Sequence, residues 1–259
     1  MTTHKIPWRI YVALIGSLVG TGIYSFALPI AILASTGEIG LAGVMAVAMQ
    51  IPNIALAYPL ATLSDSLPRK PMIVIAGAVN ILSILTLALM NEQHVLSWFA
   101  IAALGFVSGV FSELAAASEA GYIPQLLGRE NLLSYNARRE ICEGISAIIA
   151  PPTAGFIVLV AGATVGLIVP VLLFGAATIS YATLPSVEME TKTEQRETVQ
   201  HGFIHRMFDG IQYMFSGAPQ RLILVYTFFL AAATASYSLI IIYRLYEAVS
   251  YTHLRAHET

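Results

Sequence analysis

Charge is what this chain has least of. Only 11% of its 259 residues are Asp, Glu, Lys or Arg, against about 25% in a soluble domain. A water-facing surface cannot be built from so few. Cysteine is almost absent as well: Cys142 is the single one, which excludes an internal disulfide. The net charge of −2 gives no basic surface for nucleic acid. No metal-ligand cluster, nucleophile–base pair or phosphate-cradling loop stands out. His253 and His257 share an i,i+4 spacing but fall in the aberrant tail described below. These absences weigh against a soluble enzyme, and no cofactor is implied.

What remains is apolar. Hydrophobic residues make up 57% of the chain and the mean hydropathy is +0.74. Runs of about 20 apolar residues recur, each long enough to cross a hydrocarbon core about 30 Å thick. They are near-continuous and do not alternate, which predicts helices and not a β-barrel. Seven spans are expected at about 8–35, 39–64, 71–90, 95–118, 139–161, 163–185 and 220–247. The first is too long for a signal-peptide core and has no cleavage site, so it reads as a retained helix.

The scarce cations are unevenly placed. Lys5 and Arg9 precede the first span; Arg69 and Lys70 lie between the second and third. Arg129, Arg138 and Arg139 lie between the fourth and fifth; Lys192, Arg196, Arg206 and Arg221 lie between the sixth and seventh. The intervening loops hold Glu38, Glu92 and His94 but no Lys or Arg. By the positive-inside rule the N-terminus is cytoplasmic. Arg244, near the outer end of the seventh span, is the exception.

Residues 1–185 thus read as a six-helix transmembrane bundle. Residues 186–219 read as a cytoplasmic linker with an amphipathic helix carrying Phe203, Met207, Ile211, Met214 and Phe215 on one face. Residues 220–248 read as a seventh span that begins a second bundle, expected to be missing here. Residues 249–259, VSYTHLRAHET, join abruptly and resemble a translated sequencing adapter; they are expected to be non-native.

The stretch ATLSDSLPRKP, 61–71, poses the sharpest question. Asp65 ends one span, where a carboxylate opposes the helix dipole by about 0.3–1 kcal/mol. Arg69 and Lys70 open the next, where cations are equally misplaced. Topology explains the cations but not Asp65; an ionic network at a tight inner turn explains all three.

These residues resemble the inner-loop signature of the major facilitator superfamily. Asp65, Arg69 and Lys70 are kept, whereas Ala61, Ser66 and Pro68 depart from it. PQLLGRENLLSYNA, with Pro124, Leu126, Arg129, Glu130, Leu132 and Asn136, resembles the loop after helix 4 in the branch of macrolide and siderophore exporters. DGIQYMFSGAPQRL, 209–222, resembles that branch's entry to helix 7. Ala150, Pro151, Ala154 and Gly155 fall on the antiporter motif, with alanine replacing two glycines. The resemblance implies an all-α membrane protein of the major-facilitator type. It implies efflux of a small amphipathic molecule, coupled to protons, in a bacterial inner membrane. It also implies an inner gate at Asp65, Arg69 and Lys70, with Glu119 expected to pair with one of the cations. A scaffold or sensor built on the same bundle is the alternative.

Glu113 lies inside the fourth span, six residues or ~9 Å from its inner end. An intramembrane carboxylate is a functional residue by default, and proton coupling is its expected role. It shares a four-residue ladder with Gly105, Gly109, Ala117 and Gly121, a small-residue stripe expected to face another helix. Ser17, Thr21, Tyr24, Gln50 and Asn53 are the candidates for lining a central cavity. Glu140 and Glu143 suit the start of the fifth span and read as structural.

Overall fold

The computed structural model describes residues 8–93, 95–187, 215–223, 225–226, 228–230, 233, 240 and 244. Six helices make the main unit: α1 (Trp8–Thr36), α2 (Ile39–Ala55), α3 (Ala57–Ser66), α4 (Arg69–Glu92), α5 (Trp98–Ala161) and α6 (Ala163–Thr183). No strand occurs among the described residues.

One of these elements differs from its expected span, for a backbone reason. The span expected at 39–64 is broken into α2 and α3, which meet at 60°. Pro59 has no N–H for the carbonyl of Ala55, and its ring crowds that carbonyl, which favours a break there, although α1, α2 and α6 run unbroken through Pro29, Pro52 and Pro170. The expected fourth and fifth spans form the two helical arms of α5, separated by a non-helical break at Gly128. Sixty-four straight residues would reach ~96 Å, three times the hydrocarbon thickness. The chain instead turns at Gly128, whose φ of 70° and ψ of 163° glycine adopts without strain. α5 therefore has two arms, 98–127 and 129–161.

The buried residues sort by level. One cluster joins the second halves of α1 and α4, with Leu28 and Leu87, to the starts of α2, α5 and α6, with Met45, Ile101 and Leu167. The opposite cluster joins the starts of α1 and α4, with Ile10 and Ile73, to Tyr122, Leu127 and Tyr135 around the α5 turn and Leu184 after α6. Successive passes therefore alternate in direction. Among the described residues, four helices are long and apolar enough to cross a membrane, five if the bent α2–α3 pair counts as one. α5 passes twice.

Small residues set the closest approaches. Gly22 on α1 faces Ser146 and Ala150 on the second arm of α5. Ala150 and Ala154 are fully buried there with Ile23 and Ala27. Gly105 and Gly109 on the first arm face α2, against Met45 and Pro52; the stripe meets a helix, as its spacing predicts.

The chain divides into two units, Met1–Met189 and Glu190–Thr259. In the second, residues 218–223 are helical, and Arg221 donates to the Phe215 carbonyl at 2.8 Å. Most of the expected linker helix and seventh span, and the whole 249–259 tail, lie outside the described residues.

Candidate functional site

At the end of the bundle where α3 turns into α4, Arg9, Arg69, Lys70 and Tyr122 meet four backbone carbonyls. The turn is short because Leu67 is extended and Pro68 caps α4 with φ −61°. It leaves Arg69 and Lys70 at the first positions of α4. Arg69 Nη2 lies 3.0 Å from Asp65 Oδ1, and Nη1 donates to the Gly121 carbonyl at 2.9 Å. One guanidinium thus ties α3, α4 and α5 together. Asp65 is 73% exposed, so the ion pair itself stabilises little. Arg69 is only 20% exposed, and its bond to Gly121 is the more valuable contact.

Lys70 Nζ donates to the Leu184 carbonyl at 2.6 Å. Tyr122 Oη donates to the Pro185 carbonyl at 2.7 Å, and Arg9 Nη1 to the Thr183 carbonyl at 3.2 Å. The end of α6 therefore receives donors from α1, α4 and α5. A helix C-terminus carries unpaired carbonyls and partial negative charge, and both favour cations. Lys70 and Arg69 sit badly for their own helix but well for the ends of their neighbours, which answers the puzzle of their placement.

Glu119 does not join this network as expected: no ion pair connects it to Arg69 or Lys70. It lies beside the Tyr181 hydroxyl and feels the charge of Arg139. The reason is local: Gly121 takes Arg69 onto its backbone, and Lys70 points to α6. Beside Glu119, Tyr135 is buried, and burial with the neighbouring carboxylate pushes its hydroxyl up to about 12. Burial pushes Tyr122 up to about 12 as well. Arg138, at the start of the returning arm, hydrogen-bonds the Tyr11 hydroxyl and lies 5.3 Å from that ring's centre.

Deeper in the bundle, Ser108 donates to Asn80 Oδ1 at 2.7 Å, and Asn80 Nδ2 donates to Ser112 at 3.1 Å. Tyr24 is buried at 3% exposure, with its hydroxyl toward Ser108 but without a bond of ordinary geometry. It packs edge-on to Phe174 at 6.4 Å in the core and lines no open surface; its bulk fills the gap between α1 and α6. Ser17 returns its hydroxyl to the Ala13 carbonyl at 2.8 Å. Thr21, Gln50 and Asn53 are exposed. Glu113 is half-buried. Of the antiporter-like residues, Ala150 and Ala154 pack on α1, whereas Gly155 has no neighbour within 4 Å of where a Cβ would sit.

Sequence reasoning passed over Asn80, Ser108 and Ser112. An asparagine at mid-span, and serines four apart on the next, were the available signals. Tyr122, Tyr135 and Tyr181 carried no comparable mark, because tyrosine near a span's end is common at membrane interfaces.

Comparison with known proteins places this geometry. The family model described as Major Facilitator Superfamily matches residues 10–255. The enterobactin exporters EntS of Shigella boydii serotype 18 and of Escherichia coli O1:K1 / APEC are each 26% identical over 173 residues. That match covers 62% of this chain and 39% of each relative, so the chain spans well under half their length. No solved structure matches. The apolar passes, the α3–α4 turn built on Asp65, Arg69 and Lys70, and the family match over nearly the whole chain agree, and the chain belongs to the major facilitator superfamily as a multi-pass membrane protein.

Proposed function

We propose that this chain supplies the first helix bundle of a secondary exporter. It rocks against a second bundle to carry a small amphipathic molecule from the cytoplasm, with its N-terminus on the cytoplasmic side. The observation that carries the reading is the Arg69 clamp, which joins α3, α4 and α5 at the cation-bearing end. A rocking bundle must move as one body, and such ties make it rigid where the gate would close. The resemblance to the enterobactin exporters favours efflux and makes enterobactin the first substrate to try.

Thr21, Gln50 and Asn53 are exposed polar groups on α1 and α2 and suit contact with a substrate. Glu113 is the deepest carboxylate of the described bundle and is the proposed proton carrier. Pro151 and Gly155 would face the second bundle and set how the fifth pass bends.

Flux into proteoliposomes tests the reading. The chain joined to a second bundle is expected to build an enterobactin gradient that Glu113→Gln abolishes. A gradient insensitive to that substitution would remove the proton role. Cysteines placed at 70 and 139, with Cys142 replaced, should label from one face of the membrane; labelling from opposite faces would refute the topology.

A further inference from the structure

α1 and the second arm of α5 run side by side in the same direction, both starting at the cation-bearing end. Three contacts mark the line where they touch. Arg138 hydrogen-bonds the Tyr11 hydroxyl and lies over its ring, Ser146 donates to the Leu18 carbonyl at 3.1 Å, and Gly22 abuts Ala150. To one side of this line both helices leave apolar side chains uncovered. On α1 these are Trp8 and Ile15, 70% and 48% exposed; on α5 they are Ile145 and Ile149, 52% and 54% exposed. Ile145 and Ile149 follow Arg138 by seven and eleven residues, a spacing that keeps all three on one stripe. Trp8, Ile15 and Val19 repeat that spacing on α1. Helices that run the same way bring together stripes displaced from their contact line in opposite senses, as these two are. Between them lies a groove with apolar walls.

Its mouth is cationic. Arg138 stands on one side of the first turn of α1. Arg9 stands on the other, donating to the Thr183 carbonyl at 3.2 Å, and Trp8 lies between the two on the helix face. Each guanidinium has five N–H groups and commits one to the bonds named. Neither has a carboxylate partner among the described residues. At 100° per residue, Glu140 and Glu143 fall ~140–160° round the helix from Arg138, so they do not neutralise the mouth. Pro151 and Gly155 fall ~100–140° round, on another face. That the groove opens to lipid and not to the second bundle rests on the proposed placement of those two residues.

We propose that this groove binds one anionic phospholipid, its phosphate held between Arg9 and Arg138 and one acyl chain lying along Ile145 and Ile149. The chemistry fits each level. Arginine forks match phosphate oxygens, and tryptophan and tyrosine belong at the headgroup level of a bilayer. From Arg138 to Ile149 the helix rises ~17 Å, about one leaflet of a hydrocarbon core about 30 Å thick. The Tyr11 hydroxyl, accepting from Arg138, holds the guanidinium at the mouth.

Quenching by brominated lipid tests this. The chain has two tryptophans, so Trp98→Phe leaves Trp8 as the reporter. In phosphatidylcholine bilayers, dibrominated phosphatidylglycerol is expected to quench Trp8 at a several-fold lower mole fraction than dibrominated phosphatidylcholine, since each cation at an anionic surface is worth about fivefold. Arg138→Gln should lower that preference about fivefold, and Arg138→Lys should restore part of it. Arg129→Gln removes an equal charge ~180° round the same arm and should leave the preference in place. An equal fall would mean diffuse attraction and no site. Trp98, read in the Trp8→Phe variant at the opposite end of the bundle, should show no preference; an equal one there would mean general enrichment around the protein. Millimolar glycerol phosphate should not relieve the quenching, and relief would assign the mouth to a soluble phosphate ester. Thermal melting verifies that the variants fold. Equal quenching of Trp8 by the two lipids, or a preference that survives Arg138→Gln, would overturn the proposal.

Discussion

The guanidinium of Arg69 occupies the space that a Cβ on residue 121 would need, lying flat against the backbone of α5 where Gly121 leaves it open. A residue at the start of α4 is thereby coupled to a glycine fifty-two positions later. Gly121→Ala should displace the arginine without disturbing the helix, because the end of a long side chain moves easily. Loss of a charged hydrogen bond to a carbonyl costs about 1.5–3 kcal/mol. Arg69→Ala should cost the same, and the double variant no more than either alone. Thermal melting in detergent measures all three; additive losses would show that the two residues act separately.

The end of α6 offers an independent check on the clamp. Lys70→Met removes the donor to Leu184, and Tyr122→Phe the donor to Pro185. The lysine bond is charge-assisted and part-buried, so its loss should cost about 1.5–3 kcal/mol, against about 1 kcal/mol for the tyrosine. Amide exchange at 181–184 should rise in both variants while that of α2 stays unchanged. A uniform rise across the bundle would mean that these bonds are not local caps.

How much of this was legible beforehand depended on the kind of signal. Hydrophobic length gave the spans and uneven cations gave their alternation, because both follow from the bilayer and not from side-chain detail. The break in the second span was written in Pro59, yet its helical run of apolar residues concealed it. The fourth and fifth spans were separable in the sequence because Gly128, in the polar stretch LLGRENLLSYN, breaks the helix between them. Asp65 with Arg69 was visible at i,i+4. Glu119's choice of Tyr181 over Arg69 was not, since it depends on where Gly121 lets the arginine lie. Carbonyl acceptors have no sequence signature, and they take Arg9, Arg69, Lys70 and Tyr122.

Two tyrosines outside the spans fix the behaviour at high pH. Burial pushes Tyr122 and Tyr135 up to about 12, above the value of about 10 for an exposed phenol. A group whose pKa rises on folding contributes its full share below the unfolded value and loses it as pH climbs to the folded one. The bundle should therefore lose stability between pH about 10 and 12. The tyrosinate absorbance of these two residues, taken as the difference from the variant with both changed to Phe, should appear with unfolding and not before it. A variant with both residues changed to Phe should show a shallower loss across that window. An equal loss would assign the alkaline limb to other groups.

The closest approach between α1 and the returning arm of α5 sets a last expectation. A Cβ on Gly22 would lie 2.6 Å from Ser146 Oγ and 2.8 Å from the Ala150 side chain. Ser146 is already committed, donating to the Leu18 carbonyl at 3.1 Å, so it cannot simply turn away. Gly22→Ala must then push the two helices apart where Ile23, Ala27, Ala150 and Ala154 are buried together. Overpacking of this kind costs about 1–3 kcal/mol. Adding Ala150→Gly frees one of the two colliding atoms and should recover part of the loss, although glycine itself costs about 1 kcal/mol in a helix. Measured by melting of the detergent-solubilised chain, the double variant should be more stable than the sum of the two single losses allows. Strict additivity would place α1 and the second arm of α5 further apart than this packing requires.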